Sequence, residues 1–186
     1  MWSISGACIG ILLMLCNVPS VGGVMETIPV NSLREMIESH PDRGELPVEL
    51  VLAICAVESS CQAGAYRPEP NYRWLVGNRE LMSVAEMIGQ KSSWGLMQTM
   101  GAVAREYHFD GSFTELWEPK IGLRYGMLHL NKLYRKHKNW PDTIASYNAG
   151  TPIKIDGKYQ NQGYVDKVLK AWNMFEHHIP LKSTEV

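Results

Sequence analysis

No charged side chain precedes Glu26 in this 186-residue chain. Its amino end lacks the Lys or Arg that opens a standard secretory leader, yet Ile9–Leu15 is apolar and Val18-Pro19-Ser20 offers small residues for cleavage. Residues 1–24 therefore read as a signal peptide or, alternatively, a retained N-terminal anchor with scope for membrane association. Asn17, Pro19 and the glycines 22 and 23 leave the solidly apolar part shorter than the ~20 residues a membrane span requires. A net charge of −1 supplies no basic surface for nucleic acid. Neither His-Glu-x-x-His nor paired Cys-x-x-Cys occurs, His177-His178 stand in a polar tail, and Asp156-Gly157 lacks the acidic ladder of a calcium loop. No glycine-rich phosphate loop follows a strand. No metal and no cofactor are expected.

Only two cysteines, Cys55 and Cys61, lie beyond the leader. On one continuous helix their Cα atoms would stand about 9 Å apart, too far for a disulfide, so buried free thiols are expected. There is no internal repeat, no low-complexity tract and no linker. One domain over residues 25–186 is the expectation, with an apolar content of 45% ample for a core. Its six tryptophans and eight tyrosines offer flat faces that pack a core or stack on sugar rings.

What the chain does have is helical pattern. Ser32-Leu33-Arg34-Glu35 fits a capping box for a helix ending near His40-Pro41. Further helices are expected over 47–60, from Asn78 to Gly89, over 99–107, from Pro119 to about Lys138, from Pro141-Asp142 to Gly150, and from Tyr164 onward. Residues 61–78 read as a loop anchored by Tyr66, Tyr72 and Trp74, and 151–160 as a turn-rich loop or small hairpin. The fold class is all-α, about six to eight helices in a single globular domain, with a small irregular β patch allowed.

The stretch from Lys120 to Lys138 contains no acid, and Lys120, Arg124, Asn131, Arg135 and Lys138 fall on one helical face, read as solvated. Within 47–60, eight apolar residues, Leu50 to Val57, run into a single acid, Glu58, then Ser59 and Ser60. A helix hydrophobic on every side is buried. Glu58 shares a face with Ile54 and Val51. Removal from water and the negative end of the helix both raise a carboxyl pKa, which is what a general acid working near neutral pH needs.

Three further patterns follow in order: Gly95-Leu96-Met97-Gln98, then Ser146-Tyr147-Asn148-Ala149-Gly150, then Tyr164-Val165 leading to Val168. With Glu58-Ser59-Ser60 they resemble the soluble lytic transglycosylase family over roughly residues 46–172. The resemblance implies a lysozyme-like fold with a saccharide cleft and cleavage of peptidoglycan glycan strands. It makes Glu58 the sole catalytic acid and places Met97, Gln98, Tyr147, Asn148 and one of Ser92 or Ser93, with Ser93 preferred, along the cleft. Tyr164 fits helix packing instead. Glu58 and Gln98 stand 40 residues apart, wider than the family's usual gap, so 66–89 read as an insertion. Thr99-Met100-Gly101 stands where many relatives carry proline.

Most glycosidases pair the acid with a second carboxylate. None of the motifs supplies one: Asp110, Glu115, Glu118, Asp142 and Asp156 are scattered through turns and helix starts. The family mechanism needs none, because the 2-acetamido group of N-acetylmuramic acid attacks its own anomeric carbon and a 1,6-anhydro end results. A hydrolytic muramidase like goose-type lysozyme is the alternative, with Asp110 or Glu69 as its second acid. A non-catalytic wall-binding component of an envelope or phage machine is a third reading. Export to the periplasm or envelope is expected, with membrane anchoring or a phage particle as alternatives. Partners in secretion, conjugation or phage assembly fit the same class of domain.

Overall fold

The computed structural model describes residues 27–177. The leader with Cys8 and Cys16, Glu26 and His178 lie outside the described residues. In chain order the elements are α1 (Val30–Glu38), a 3-10 turn (Pro41–Arg43), α2 (Val48–Ser59), β1 (Tyr66–Pro68), α3 (Val84–Gln90), β2 (Ser92–Trp94) and β3 (Thr99–Met100). They continue with α4 (Gly101–Glu106), a second 3-10 turn (Phe113–Trp117), α5 (Pro119–His137), α6 (Trp140–Ala149), β4 (Lys154–Ile155), β5 (Lys158–Tyr159) and α7 (Gln162–Glu176). The chain is thus mostly helical with a small antiparallel patch, as the sequence pattern led us to expect.

Helix α2 is the axis of the core. Leu50 through Cys55 are fully buried, so the helix has no solvent face between its first turn and its last. Burying each Leu or Ile is worth about 1.5–3 kcal/mol, which holds α2 between α1, α5, α6 and α7, with α7 laid most extensively along it. The helix stops because Ser60 and then Cys61 take left-handed backbone (φ 54 and 60), and the Ser60 N–H closes onto Ala56 O at 3.1 Å. Cys55 and Cys61 are both buried and are not joined to each other by a disulfide.

A second cluster, Trp94, Ala104, Phe109, Phe113, Leu116 and Tyr125, roots the sheet lobe on α4 and α5. Arg105 ties α3 to this cluster. Its Nε and Nη2 bind the two Glu86 oxygens at 2.8 and 2.9 Å, Nη1 donates to Gly111 O at 3.0 Å, and the guanidinium lies 4.2 Å from the Phe113 ring centroid.

Several boundaries differ from the sequence reading for local reasons. The Ser32–Glu35 capping box does not form: Pro29 occupies the cap position, and Ser32 lies inside α1 with no side-chain cap. The helix expected from Asn78 begins only after Ser83, whose Oγ accepts from Glu86 N; Asn78 caps a turn, accepting from Glu80 N. Thr99 and Met100 form a strand rather than a helix start. Residues 66–68 pair as a strand, Tyr66 edge-on to Trp94 at 4.8 Å, while the expected anchor Trp74 is 72% exposed. Asp156 and Gly157 (φ 50 and 76) turn the β4–β5 hairpin. The α5 face read as solvated is partly docked: Asn131 Nδ2 donates to Asp42 O and Arg43 O, and Arg124 pairs with Asp42.

Candidate active site

Glu58 sits in the last turn of α2, half-buried where the apolar helix meets the sheet lobe. Its neighbour Ser59 fixes that junction. Ser59 Oγ lies 3.0 Å from Cys55 O and 2.7 Å from Leu96 O, a tether between α2 and the 95–98 loop. The loop is shaped by Gly95 (φ 70), where a Cβ would meet Leu116 O at 2.3 Å, and by Gln98, itself left-handed at φ 47.

The sequence-identified residues gather around this junction in different ways. Tyr147 on α6 donates from its hydroxyl to Met97 O at 2.9 Å, so the loop is pinned from both sides. Met97 itself is fully buried, and its backbone carbonyl is the group it offers to Tyr147. Gln98 is nearly buried, and its amide Nε2 donates to Gly95 O at 3.0 Å, closing the loop on itself. Ser93 is buried on β2, with its hydroxyl 3.3 Å from Met100 Sδ. Ser92 faces away, toward Ile88 O and the Tyr66 hydroxyl. Asn148 is exposed next to Tyr147, and its Oδ1 accepts from Asn161 Nδ2 at 3.0 Å, which ties α6 to the start of α7.

Tyr164, which helical spacing assigned to packing, does more. It packs against the core from α7, and its hydroxyl donates to Glu58 Oε1 at 2.7 Å. The signal that could have revealed it was its place beside Val165 in the fourth motif, not its periodicity.

Burial dominates the electrostatics of Glu58 and raises its pKa above the ordinary 4.5. The Tyr164 hydrogen bond and the Arg67 charge oppose that rise, while the Glu69 charge adds to it. Burial also lifts the Tyr147 and Tyr164 hydroxyls well above the phenol range, so both remain donors at any physiological pH. A part-buried carboxyl with a raised pKa, held by a tyrosine donor, can give up a proton and take one back. Asp110, by contrast, is exposed on the segment between α4 and the second 3-10 turn. Among the described residues no group of three or more His, Cys, Asp or Glu side chains is placed to hold a metal ion, and no helix is long and apolar enough to cross a membrane.

In comparisons with known proteins, the family model described as the transglycosylase SLT domain matches residues 35–169. No curated protein and no solved structure matches the chain.

Proposed function

On the premise that this chain belongs to the transglycosylase SLT domain family, whose activity is lytic transglycosylase-type cleavage of peptidoglycan, we propose that Glu58 is its single acid and base. The glycosidic oxygen between N-acetylmuramic acid and N-acetylglucosamine is a poor leaving group until protonated. Glu58, whose pKa burial raises, donates that proton. The 2-acetamido oxygen of the muramic residue attacks the anomeric carbon as the bond breaks. Glu58 then removes the proton of the 6-hydroxyl, whose oxygen displaces the acetamido group and leaves a 1,6-anhydro end, with no water consumed. The observation that carries this reading is the burial of a lone carboxyl at the end of an apolar helix, joined through Ser59 to the 95–98 loop.

Gln98, Asn148 and Ser93 are proposed to line the saccharide path, with Tyr147 and Met97 supporting it. The substrate lies outside the cytoplasmic membrane, so residues 1–24 are proposed to direct export or anchoring to the envelope. Digestion of purified sacculi followed by mass spectrometry of the released muropeptides tests the chemistry. Anhydro ends are expected. Reducing ends, one water heavier, would instead establish a hydrolytic muramidase. That second reading is favoured by one observation, the reach of the Glu69 charge to Glu58.

A further inference from the structure

The strand that the longer Glu58–Gln98 interval contributes brings two charges to the site. In the three-stranded sheet β1-β2-β3, Arg67 is directly opposite Ser93, and Ser93 directly opposite Met100. Directly opposed residues project from the same face of a sheet, so Arg67 shares the face of the candidate serine. Glu69 lies two residues further, and its N–H bonds Lys91 O at 2.7 Å, extending the ladder and keeping Glu69 on that face. Tyr66 and Trp94 take the opposite face, where Trp94 belongs to the second cluster and Tyr66 meets it edge-on at 4.8 Å. Gly95 N–H donates to Ala65 O at 2.9 Å, joining the start of β1 to the 95–98 loop beside the acid, and both charges act on the Glu58 proton.

Arg67 Nε donates to Glu69 Oε1 at 2.6 Å. Among the described residues the guanidinium has no other hydrogen-bond partner. Glu69 thus fixes one edge of the fork and leaves the paired Nη edge available, the edge that binds a carboxylate with two parallel hydrogen bonds. The side chains are 53% and 38% exposed. That exposure suits recognition at the rim of a site better than a part in bond breaking, which calls for a desolvated group such as Glu58.

We propose that Arg67 is a specificity-determining residue that binds a carboxylate of the peptide stem carried by the muramic acid residue of the substrate. The inference rests on the glycan-cleaving reading above and adds to it which strands are preferred. The lactyl-linked stem projects sideways from the glycan and bears free carboxylates, so a cation on the wall beside the reacting sugar meets it while the sugar lies against Glu58.

The test compares sacculus-derived strands with the same strands stripped of their stems by an amidase, using wild type, Arg67→Gln and Arg67→Lys. The quantity read is the ratio of kcat/KM on stem-bearing to stripped strands. Arg67→Gln is expected to lower that ratio about tenfold, mainly through KM on the stem-bearing strands, and Arg67→Lys to recover part of it. An unchanged ratio in Arg67→Gln would overturn the inference. So would a pH profile displaced equally on both substrates with no change in their ratio, which would make Arg67 a tuner of Glu58 and nothing more. Wild-type protein that releases no fragments from either substrate would overturn the glycan-cleaving reading itself, and the stem inference with it.

Discussion

The Tyr164 hydroxyl donates to Glu58 Oε1 across a 2.7 Å contact that joins α7 to α2, the two residues lying 106 positions apart in the chain. A donor on a carboxylate favours its ionised form, and here it works against burial, the larger influence. Tyr164→Phe removes the donor and leaves the ring in the core. The Glu58 pKa should rise further, so the high-pH limb of the rate profile, where the acid loses its proton, should move to higher pH. Measuring kcat/KM on sacculi across pH reads this directly; a limb that stays in place or moves down would show that the hydroxyl does not govern the proton.

Glu58→Gln should cost activity and spare the fold. Loss of a general acid removes about 10²–10⁴-fold in rate. The amide keeps an oxygen for the Tyr164 hydroxyl and never ionises. In the wild type the folded-state pKa lies above the 4.5 of the unfolded chain. Its stabilising contribution is therefore full below about pH 4.5 and is lost as pH rises through the folded-state value. Glu58→Gln should gain on wild type between pH 4 and pH 7 in thermal melts. A constant difference across that interval would mean the carboxyl is not desolvated.

The core of this site was legible because it is written in local pattern. Eight apolar residues running into one acid read as a buried helix with that acid at its tip, and the Gly95–Gln98 and Ser146–Gly150 segments carry their turns and stops in glycine. Helix α5, with Pro119 at its start and a left-handed Lys138 at its end, falls where its boundary residues predict. The sheet was not legible: strands of two and three residues are too short for alternation to emerge, and β1 is exposed at every position. Nor was the Tyr164–Glu58 contact, since periodicity reports which face of a helix is buried and says nothing about what a hydroxyl on that face will meet. The Arg67–Glu69 pair required the register of β1 on β2 before its face was known.

Gly126 lies where α5 passes under the 95–98 loop. A Cβ there would come within 2.4 Å of Met97 Sδ and 2.7 Å of Met97 Cβ. Met97 is fully buried and the clash reaches its Cβ, so the backbone that accepts the Tyr147 hydroxyl is expected to shift with it. Gly126→Ala should cost about 1–3 kcal/mol and lower kcat as well. Gly163→Ala is the control, because nothing lies within 4 Å of its added methyl; in α7 it should be neutral or gain up to about 1 kcal/mol. Equal effects of the two alanines on melting temperature would refute the packing argument.

Acid should unfold this protein through a histidine outside the reaction. His129 on α5 lies against Tyr147, ring centroids 5.6 Å apart, with Tyr107 at 6.4 Å on another side. Its Nδ1 is buried with no hydrogen-bond partner among the described residues. Burial first, and the Lys132 charge second, depress its pKa from 6.5 to about 4. The neutral ring is the folded form, so its contribution is whole above pH 6.5 and drains away as pH falls toward 4. At 1.36 kcal/mol per pH unit the loss is at most on the order of 3 kcal/mol, and its slope opposes that of Glu58. His129→Phe keeps a ring beside Tyr147 and cannot be protonated. Its stability, followed by urea denaturation between pH 4 and 7, should lose the wild-type rise with pH; an equal rise in both proteins would exclude His129 as the acid-sensitive group.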